Sequence, residues 1–379
     1  MYPVTDDYST ALKSTHQTYA TLTATSPDNT TTVTLGVQSG SVTATYQQGS
    51  RRTANITVHA VGTLPDGSSM PAASVAALLK RPGVTCLLEM GVSSMSVAKI
   101  MIPMMTGMAS NVAWRVGDGA IDLSLTDEWW RVSQGRFTAT WTPVAGTIRH
   151  TAVETLMQQV APSRETIDTA SDTGVINSQG DWGVDRDTAI NTLCTDGGFD
   201  AYFDRQGNIH LEDSKTASGA SVLTLTPGDT GTIETLETGL DAQRLYNTVI
   251  VKPSATDNSQ TWTAQSASLT TGDRAPANLG VTIPYFIASP TIRVAADALA
   301  VAQRRLAFVT GSEETLQCTA IGNPALDEGD VIQVLIPANP LDGTTATLWQ
   351  YYVDTITWDA ATGDMSVKAR NQGQVTENA

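Results

Sequence analysis

Short runs of β-branched and apolar residues alternate with turn residues through the first part of the chain. Between residues 30 and 90 the runs are Thr32–Leu35, Ser41–Tyr46 and Asn55–His59. Glutamine, serine and glycine at 38–40 and 47–50 separate them, as short loops between paired strands require. Further strands are predicted at 84–89, 97–102 and 120–125. This pattern predicts a β-meander or small barrel that ends near residue 150.

The hydrophobic spacing changes to a helical period after residue 150. Thr151 and Glu154 form a capping-box pattern, and Pro162 ends the helix that they begin. A second helix is predicted from Asp187 to the glycines at 197–198. Alternating apolar residues then flank a turn at 204–208, which predicts a hairpin. Residues 151–215 are therefore expected to form a small helix-plus-hairpin insert.

Strand patterns return after residue 216 and are interrupted by one long amphipathic helix. Apolar residues at steps of three and four predict this helix over 291–310, between a Thr291 cap and a Gly311 stop. Strands are predicted at 222–225, 245–251, 315–320 and 331–336, and in a closing hairpin of 349–353 with 365–369. The fold class is therefore mainly β with an α+β insert, in which residues 1–150 and 216–379 are the two β domains.

The composition excludes several classes of function. A chain of 379 residues exceeds one hydrophobic core, and its net charge of -16 comes without any run of Lys and Arg that would bind a polyanion sequence-specifically. The most apolar stretch, Ile100–Met105, is far shorter than the ~20 residues of a membrane span, so a soluble protein is expected. The first seven residues lack the basic and apolar regions of a signal peptide.

No residue pattern of a catalytic, cofactor or metal site is present. His16, His59, His150 and His210 are scattered singly, and the three cysteines are far apart, so neither set has a metal-ligand spacing. A nucleophile elbow, a phosphate-binding loop and a dinucleotide fingerprint are all missing from the sequence. We therefore predict no catalytic, cofactor-binding or metal-binding residues, and buried free thiols at Cys86, Cys194 and Cys318.

Two alternative functions rest on carboxylates and aromatic residues. Asp127–Glu128 beside Trp129–Trp130 suits a cell-wall or polysaccharide hydrolase, although adjacent strand residues point to opposite faces. A carbohydrate-binding tail module would use aromatic side chains as stacking platforms. Its candidates are Trp129, Trp130, Trp141 and Tyr351. Asp181, Asp185 and Asp187 suggest a calcium site, but a helix-entry role is preferred because they lack the EF-hand offsets.

Seven residues are candidates for contacts between subunits. Methionines crowd the segment from residue 90 to 108, and their flexible side chains suit an adaptable contact surface. Pro103 fits poorly inside a regular strand, which favours an interface over a core. An Arg-Arg pair is expected to make local salt bridges or a subunit contact. The candidates are Arg51, Arg52, Met101, Met104, Met105, Trp129 and Trp130.

The order of features in the last segment resembles the carboxy-terminal part of phage tail-hub proteins. The features are the strand Leu245–Val251, the helix at 291–309, the turn and strand at 323–332 and the closing hairpin. The opening Met1–Val4, with Ser39–Val42 and Arg51–Thr53, resembles tail proteins of actinobacterial siphophages. The hub family includes baseplate hubs of contractile tails and the hub portion of type VI secretion spikes.

This resemblance implies two small, tail-tube-like β-barrels per chain, separated by the insert, and three chains in a ring. It implies a structural virion protein of the tail tip, made in the host cytoplasm and without enzymatic activity. The expected partners are further copies of the chain, a distal tail or tail-tube protein, the tape measure protein, and tip, spike or fibre proteins. Six barrels would match the six-fold tail tube, and DNA would pass through the channel without specific binding.

The acidic composition suggests how DNA would pass. A lumen lined by Asp and Glu would repel DNA and avoid trapping it. If the chain forms a hub of this kind, we expect its channel to be acidic.

Overall fold

The N-terminal strands of the computed structural model close into a barrel. The model describes residues 1–379 except 13, 48, 116, 177–181, 216–219, 229–230, 255–260, 312–313, 338–345 and 375–379. The elements of this part are α1 (Asp6–Leu12), β1 (His16–Thr25), β2 (Thr32–Thr45), β3 (Arg52–His59), β4 (Gly62–Thr63), β5 (Ser69–Met70), α2 (Ala72–Leu79), β6 (Thr85–Ser94), β7 (Ile100–Arg115) and β8 (Ala120–Asp127). Six strands pair in the order β1-β6-β7-β8-β3-β2, and β2 pairs again with β1, where Leu22 lies opposite Leu35.

The insert follows the first barrel and has its own core. Its elements are α3 (Trp129–Gln134), α4 (Arg149–Gln158), β9 (Thr166–Asp168), α5 (Arg186–Gly197), β10 (Phe199–Phe203) and β11 (Ile209–Asp213). The sheet order is β10-β11-β9, and the helices pack on it through Leu156, Leu193 and Phe199. Helix α4 begins at Arg149 instead of the predicted capping box, while Gly198 ends α5 in the left-handed conformation as expected (φ 71°).

The C-terminal part contains a second barrel and a separate small sheet. The elements are β12 (Leu223–Leu225), β13 (Ile233–Leu240), a 3-10 turn (Ala242–Arg244), β14 (Thr248–Pro253), β15 (Gln265–Ser268), α6 (Pro276–Leu279), β16 (Pro284–Ser289), α7 (Ala295–Val309), β17 (Glu314–Ala320), β18 (Val331–Ile336), β19 (Thr347–Asp359) and β20 (Met365–Gln374). The barrel strands pair in the order β12-β18-β19-β20-β17-β13. The Ile233 N–H donates to the Thr226 carbonyl at 3.1 Å, which links β13 to the end of β12 and closes the second barrel.

The long helix packs on the small sheet. Strands β15, β14 and β16 form this sheet, and Val249, Val251 and Ile287 face Ala302 and Leu306 of α7. The strand at 245–251 was expected in the second β domain, but it pairs only within this small sheet in the described residues. The predicted helix at 291–310 is confirmed as α7, although Thr291 does not cap it, since the cap position belongs to Val294.

The predicted fold class is confirmed: the chain is mainly β, with two barrels and an α+β insert between them. The domain bounds at 150 and 215 stay a prediction, because one core cluster includes side chains from both barrels. Trp129 and Val132 of α3 also pack with the core of the insert. In the described residues, no helix is long and apolar enough to cross a membrane.

Candidate functional site

The two barrels join edge to edge within the chain. Strand β2 of the first barrel pairs antiparallel with β19 of the second, from Thr45 opposite Thr355 to Ser41 opposite Asp359. Four side chains beneath this junction are completely buried, namely Val42, Ala44, Ile356 and Trp358. The result is one continuous sheet in the order β7-β8-β3-β2-β19-β20-β17-β13, which spans both barrels.

The strand order of the first barrel recurs in the second. Strands β2, β3, β6, β7 and β8 have the same neighbours and relative directions as β13, β17, β18, β19 and β20. Only the first strand differs, because β1 is antiparallel to β6 whereas β12 is parallel to β18. The two strands that join the barrels, β2 and β19, therefore correspond to β13 and β7.

One pair of hairpins shows this repeat residue by residue. Trp114 pairs with Ile121 in the β7–β8 hairpin, and Trp358 pairs with Met365 in the β19–β20 hairpin. Six residues separate the two partners in each hairpin. Trp358 lies 244 positions after Trp114, and Met365 lies 244 positions after Ile121. Gly119 and the matching Gly363 both have positive φ, 61° and 82°, which glycine adopts without strain.

The counterparts of the joined edges are open in this chain. In the described residues, β13 beyond Ile233 pairs with β17 alone, and β7 beyond Gly107 pairs with β8 alone. Both open segments, 235–240 and 108–115, are largely exposed. Leu240 is 74% exposed and Trp114 is 36% exposed. Apolar side chains beside unpaired strand edges are typical of surfaces that pair with another chain.

Arg51 and Arg52 lie inside the chain, where they join the barrels to the insert. Arg52 donates to Glu328 at 2.5 Å and to Asp327, and Arg51 donates to Asp200 at 3.0 Å. Both arginines are almost fully buried. Both arginines therefore form salt bridges, but with residues far along the chain instead of local ones. Neither side chain reaches the surface that a subunit contact needs.

The carboxylates of this buried cluster have shifted pKa values. Burial raises the pKa of Glu328 despite its contact with Arg52. Burial also opposes ionisation of Asp327, but Arg205 and Arg52 outweigh it and hold the pKa of that carboxyl below its usual range. Arg205 belongs to the insert and donates to the Leu326 carbonyl at 2.5 Å. The cluster thus fixes the insert against the second barrel.

The methionine segment belongs to strand β7, which has a bulge beside Pro103. Strand β7 runs through Pro103 because the pairing with β6 shifts between Leu88 and Glu89, and such a bulge tolerates the missing N–H. Met104 and Met105 are fully buried core residues, so they present no surface to another subunit. Met101 is half-buried, and its interface role stays a prediction.

The predicted aromatic platforms pack against other side chains. Trp129 is buried and its indole N–H donates to Asp187 at 3.2 Å, and Tyr351 is buried as well. Trp141 stacks on Phe137, with ring centroids 5.8 Å apart. Trp130 is half-buried and keeps its predicted interface role. These positions offer little free ring surface for a sugar.

The candidate acid pair is held by structural hydrogen bonds. Asp127 accepts from the backbone N–H groups of Arg51 at 2.7 Å and Arg52 at 3.0 Å. Burial raises the pKa of Asp127, and these hydrogen bonds oppose the rise. Glu128 accepts a hydrogen bond from Arg164 at 2.6 Å. Both carboxylates are buried and held by these contacts within the fold.

The remaining polar candidates do not converge. His150 contacts Asp168 at 2.6 Å and His210 contacts Asp204 at 3.2 Å, in separate places. All three cysteines are buried and free. No group of three metal-ligating side chains occurs in the described residues. Of the suggested calcium ligands, Asp181 lies outside the described residues, while Asp185 pairs with Arg136 at 3.2 Å and Asp187 accepts from Asn191 at 2.7 Å.

Comparison with solved structures finds this architecture in phage tail proteins. A tail protein from Neisseria meningitidis MC58 matches with a TM-score of 0.60 and 11% identity, covering 93% of this chain and 96% of that one. The 43 kDa tail protein of prophage MuSo2 from Shewanella oneidensis matches with a TM-score of 0.59 and 12% identity, covering 95% and 100%. The chain is similar in fold to phage tail proteins.

A chain of a VgrG complex has this fold too. A chain of the PdpA–VgrG complex from Francisella matches with a TM-score of 0.52 and 10% identity over 96% of this chain, which covers 59% of that one. No protein-family model and no curated protein sequence matches the chain. The predicted resemblance to tail and spike hub proteins is thereby confirmed for the fold.

Proposed function

We propose that this chain is a structural subunit of a phage-type tail tip that forms a ring of three copies. The observation that carries the proposal is the open pair of edges on β13 and β7. They correspond to β2 and β19, which join the two barrels inside the chain. Pairing of β13 with β7 of the next copy would repeat this junction between chains.

The chemistry of the open edges supports such pairing. Within the chain, Val42 and Ala44 meet Ile356 and Trp358 beneath the joined strands, and all are fully buried. At the open edges, the same register would place Leu240 of one copy opposite Val112 and diagonal to Trp114 of the next, so that pairing would bury these apolar side chains. Pairing would also satisfy the backbone groups along both edges, which otherwise rely on water.

The proposed contact is head-to-tail, so it closes only as a ring or continues as a filament. Different edges of each copy take part, and such heterologous contacts close when the rotation per copy divides a full turn. Two equivalent barrels per chain give six barrels in a ring of three. This count matches the six-fold tail tube that the resemblance to hub proteins implies.

The number of strands in the continuous sheet sets the width of the channel in the proposed ring. Each chain contributes eight strands to it, so three chains would contribute twenty-four strands. At ~4.8 Å between neighbouring strands the backbone circle has a diameter of ~37 Å before any tilt widens it. Side chains narrow this opening, but it still leaves room for a nucleic acid duplex.

The role in the tail is geometric. One face of the ring would contact a distal tail or tail-tube protein, and the other would receive tip, spike or fibre proteins. The tape measure protein and then DNA would occupy or cross the channel. The fold shared with tail proteins from Neisseria meningitidis and Shewanella oneidensis supports a place in the virion tail.

Native mass spectrometry of the purified full-length chain, with averaged particle images, tests the proposal. We expect the mass of three copies and a three-fold ring with an axial hole. Leu240→Lys should give single copies, while Val144→Lys, at a site that is 77% exposed and outside both open strands, should leave the ring intact. Wild-type protein that stays a single copy at every concentration tested would exclude the proposed ring.

A further inference from the structure

A row of hydroxyl groups crosses the outer face of the continuous sheet. This face points away from both barrel cores, because its residues alternate with buried ones such as Val42 and Ile356. The row passes through directly opposed residues on seven neighbouring strands, from β8 to β13. Its members are Thr126, Thr53, Thr43, Thr357, Ser366, Thr319 and Thr235, all of which are half-buried or exposed.

The hydroxyls next to the barrel junction pair with one another. Thr43 and Thr357 contact each other at 3.1 Å across the junction. Two residues further along the same strands, Thr355 donates to Thr45 at 3.4 Å. Each of these hydrogen bonds occupies one of the two hydroxyl donors in its pair, so fewer donors remain that could bind a phosphate. Opposed Thr pairs also stabilise the sheet itself.

Charges on this face lie outside the hydroxyl row. Asp122 is paired with Arg115 at 2.7 Å on the side towards the β7–β8 turn. On the other side, Lys368 is exposed opposite Gln317, and Glu237 is exposed on the next strand. The row itself carries no charged side chain on any of its seven strands.

The acidity of the chain is concentrated elsewhere. Residues 151–215 contain twelve carboxylates and four basic side chains, so the insert alone accounts for half of the net charge of -16. An acid-lined channel was expected from the overall composition. The hydroxyl row on the outer face does not have that character, although Asp359 lies two residues from it on β19.

We infer that the hydroxyl row is a neutral contact surface for duplex DNA moving along the ring axis. This inference rests on the proposed ring, in which the outer face of the sheet lines the channel. Non-specific DNA binding arises where Lys and Arg neutralise phosphates and release counterions. A neutral hydroxyl row provides no such contact, and it avoids the repulsion that an acidic wall would impose on entry.

The test measures binding of a fluorescent DNA duplex to the assembled ring over a series of salt concentrations. Wild-type ring is expected to bind without a measurable salt-dependent affinity. Thr53→Lys with Ser366→Lys adds two positive charges per chain on the row, on the two strands that flank the junction. This variant should bind at least about tenfold more tightly at low salt, with an affinity that falls steeply as salt rises.

A matched control adds the same charge outside the channel. Thr151→Lys with Thr155→Lys places two lysines on the exposed side of α4. This control should bind DNA much less than the row variant, although both have the same net charge. Thr53→Asp with Ser366→Asp should bind no DNA and serves as a second variant on the row.

The outcomes separate this inference from the proposed function. Wild-type ring that binds DNA in a salt-dependent way would overturn the neutral surface, as would equal binding by the row variant and the α4 control. The mass of each variant is measured first. Failure of the wild-type chain to form a ring would count against the proposed function. An intact ring whose row variant binds DNA no better than the α4 control would count against this inference alone.

Discussion

Trp114 and Trp358 occupy the same position in two matching hairpins, yet Trp358 is completely buried and Trp114 is 36% exposed. The neighbour of Trp358 is β2 of the same chain. The corresponding neighbour of Trp114 would be β13, whose open edge lies at the other end of the continuous sheet. In the proposed ring, β13 of a second copy would cover Trp114 as β2 covers Trp358.

Substitution of these two tryptophans should separate assembly from folding. Trp358→Ser removes a fully buried aromatic ring and should lower the free energy of unfolding by about 3–5 kcal/mol. Trp114→Ser should reduce stability much less but abolish the trimer. Urea unfolding with particle mass checks both, and a Trp114→Ser variant that still forms a trimer would contradict the proposed contact.

Mixing two edge variants should test the head-to-tail arrangement. Trp114→Ser damages the β7 edge and leaves β13 intact, whereas Leu240→Lys does the reverse. Each is expected to be a single copy alone. Together they retain one intact contact per pair, so native mass spectrometry should show one-to-one dimers and no closed ring. Trimers in the mixture would indicate a different contact.

The buried ion pairs of Arg52 should be much more important for stability than an exposed pair. Arg52→Ala removes the ion-pair partner of Glu328 and leaves Asp327 with Arg205 alone, so it should lower the free energy of unfolding by about 3–5 kcal/mol. Arg115→Ala breaks an exposed pair with Asp122 and should lower it by about 1 kcal/mol or less. Denaturant unfolding of both variants checks this, and equal losses would contradict it.

Asp196 should make stability depend on pH in the acidic range. This carboxyl is buried and accepts from the Ser289 hydroxyl at 2.7 Å and from the Thr291 hydroxyl. Burial raises its pKa, and those hydrogen bonds oppose the rise. The folded chain therefore holds this proton more tightly than the unfolded chain, whose carboxyl has an ordinary pKa of about 3.9.

The sign of this effect follows from the raised pKa. The stabilising contribution of protonated Asp196 is complete below the ordinary value and is lost as the pH rises through the pKa of the folded state. The free energy of unfolding of the wild type, relative to Asp196→Asn, should fall as the pH rises from about 4. Urea unfolding over a pH series measures it, and a difference that grows with pH would be the opposite result.

Local patterns in the sequence predicted much of the fold. Strand alternation, the long helix and the glycine stop of α5 are short-range signals, and the structure has all three. The strand pattern at 245–251 did not show that this strand pairs in a separate small sheet, because the period of a strand does not identify the strand beside it. Pro103 was misleading for a similar reason, since the bulge that accommodates it depends on the opposing strand β6.

The candidate site was harder to predict because it depends on long-range pairing. Arg51 and Arg52 looked like surface residues, yet their partners lie far along the chain at Asp200 and Glu328. The Trp114 and Trp358 repeat was present as matching spacings to Gly119 and Gly363. A search for internal repeats at any offset would have found this signal, although the exposure of Trp114 required the structure.

A density map of the assembled particle, at a resolution that separates strands, tests the central claim most directly. We predict that β13 of each copy lies hydrogen-bonded and antiparallel to β7 of the next, with Leu240 and Trp114 buried between them. A map in which β13 borders solvent, or pairs with β13 of another copy, would contradict the proposed ring.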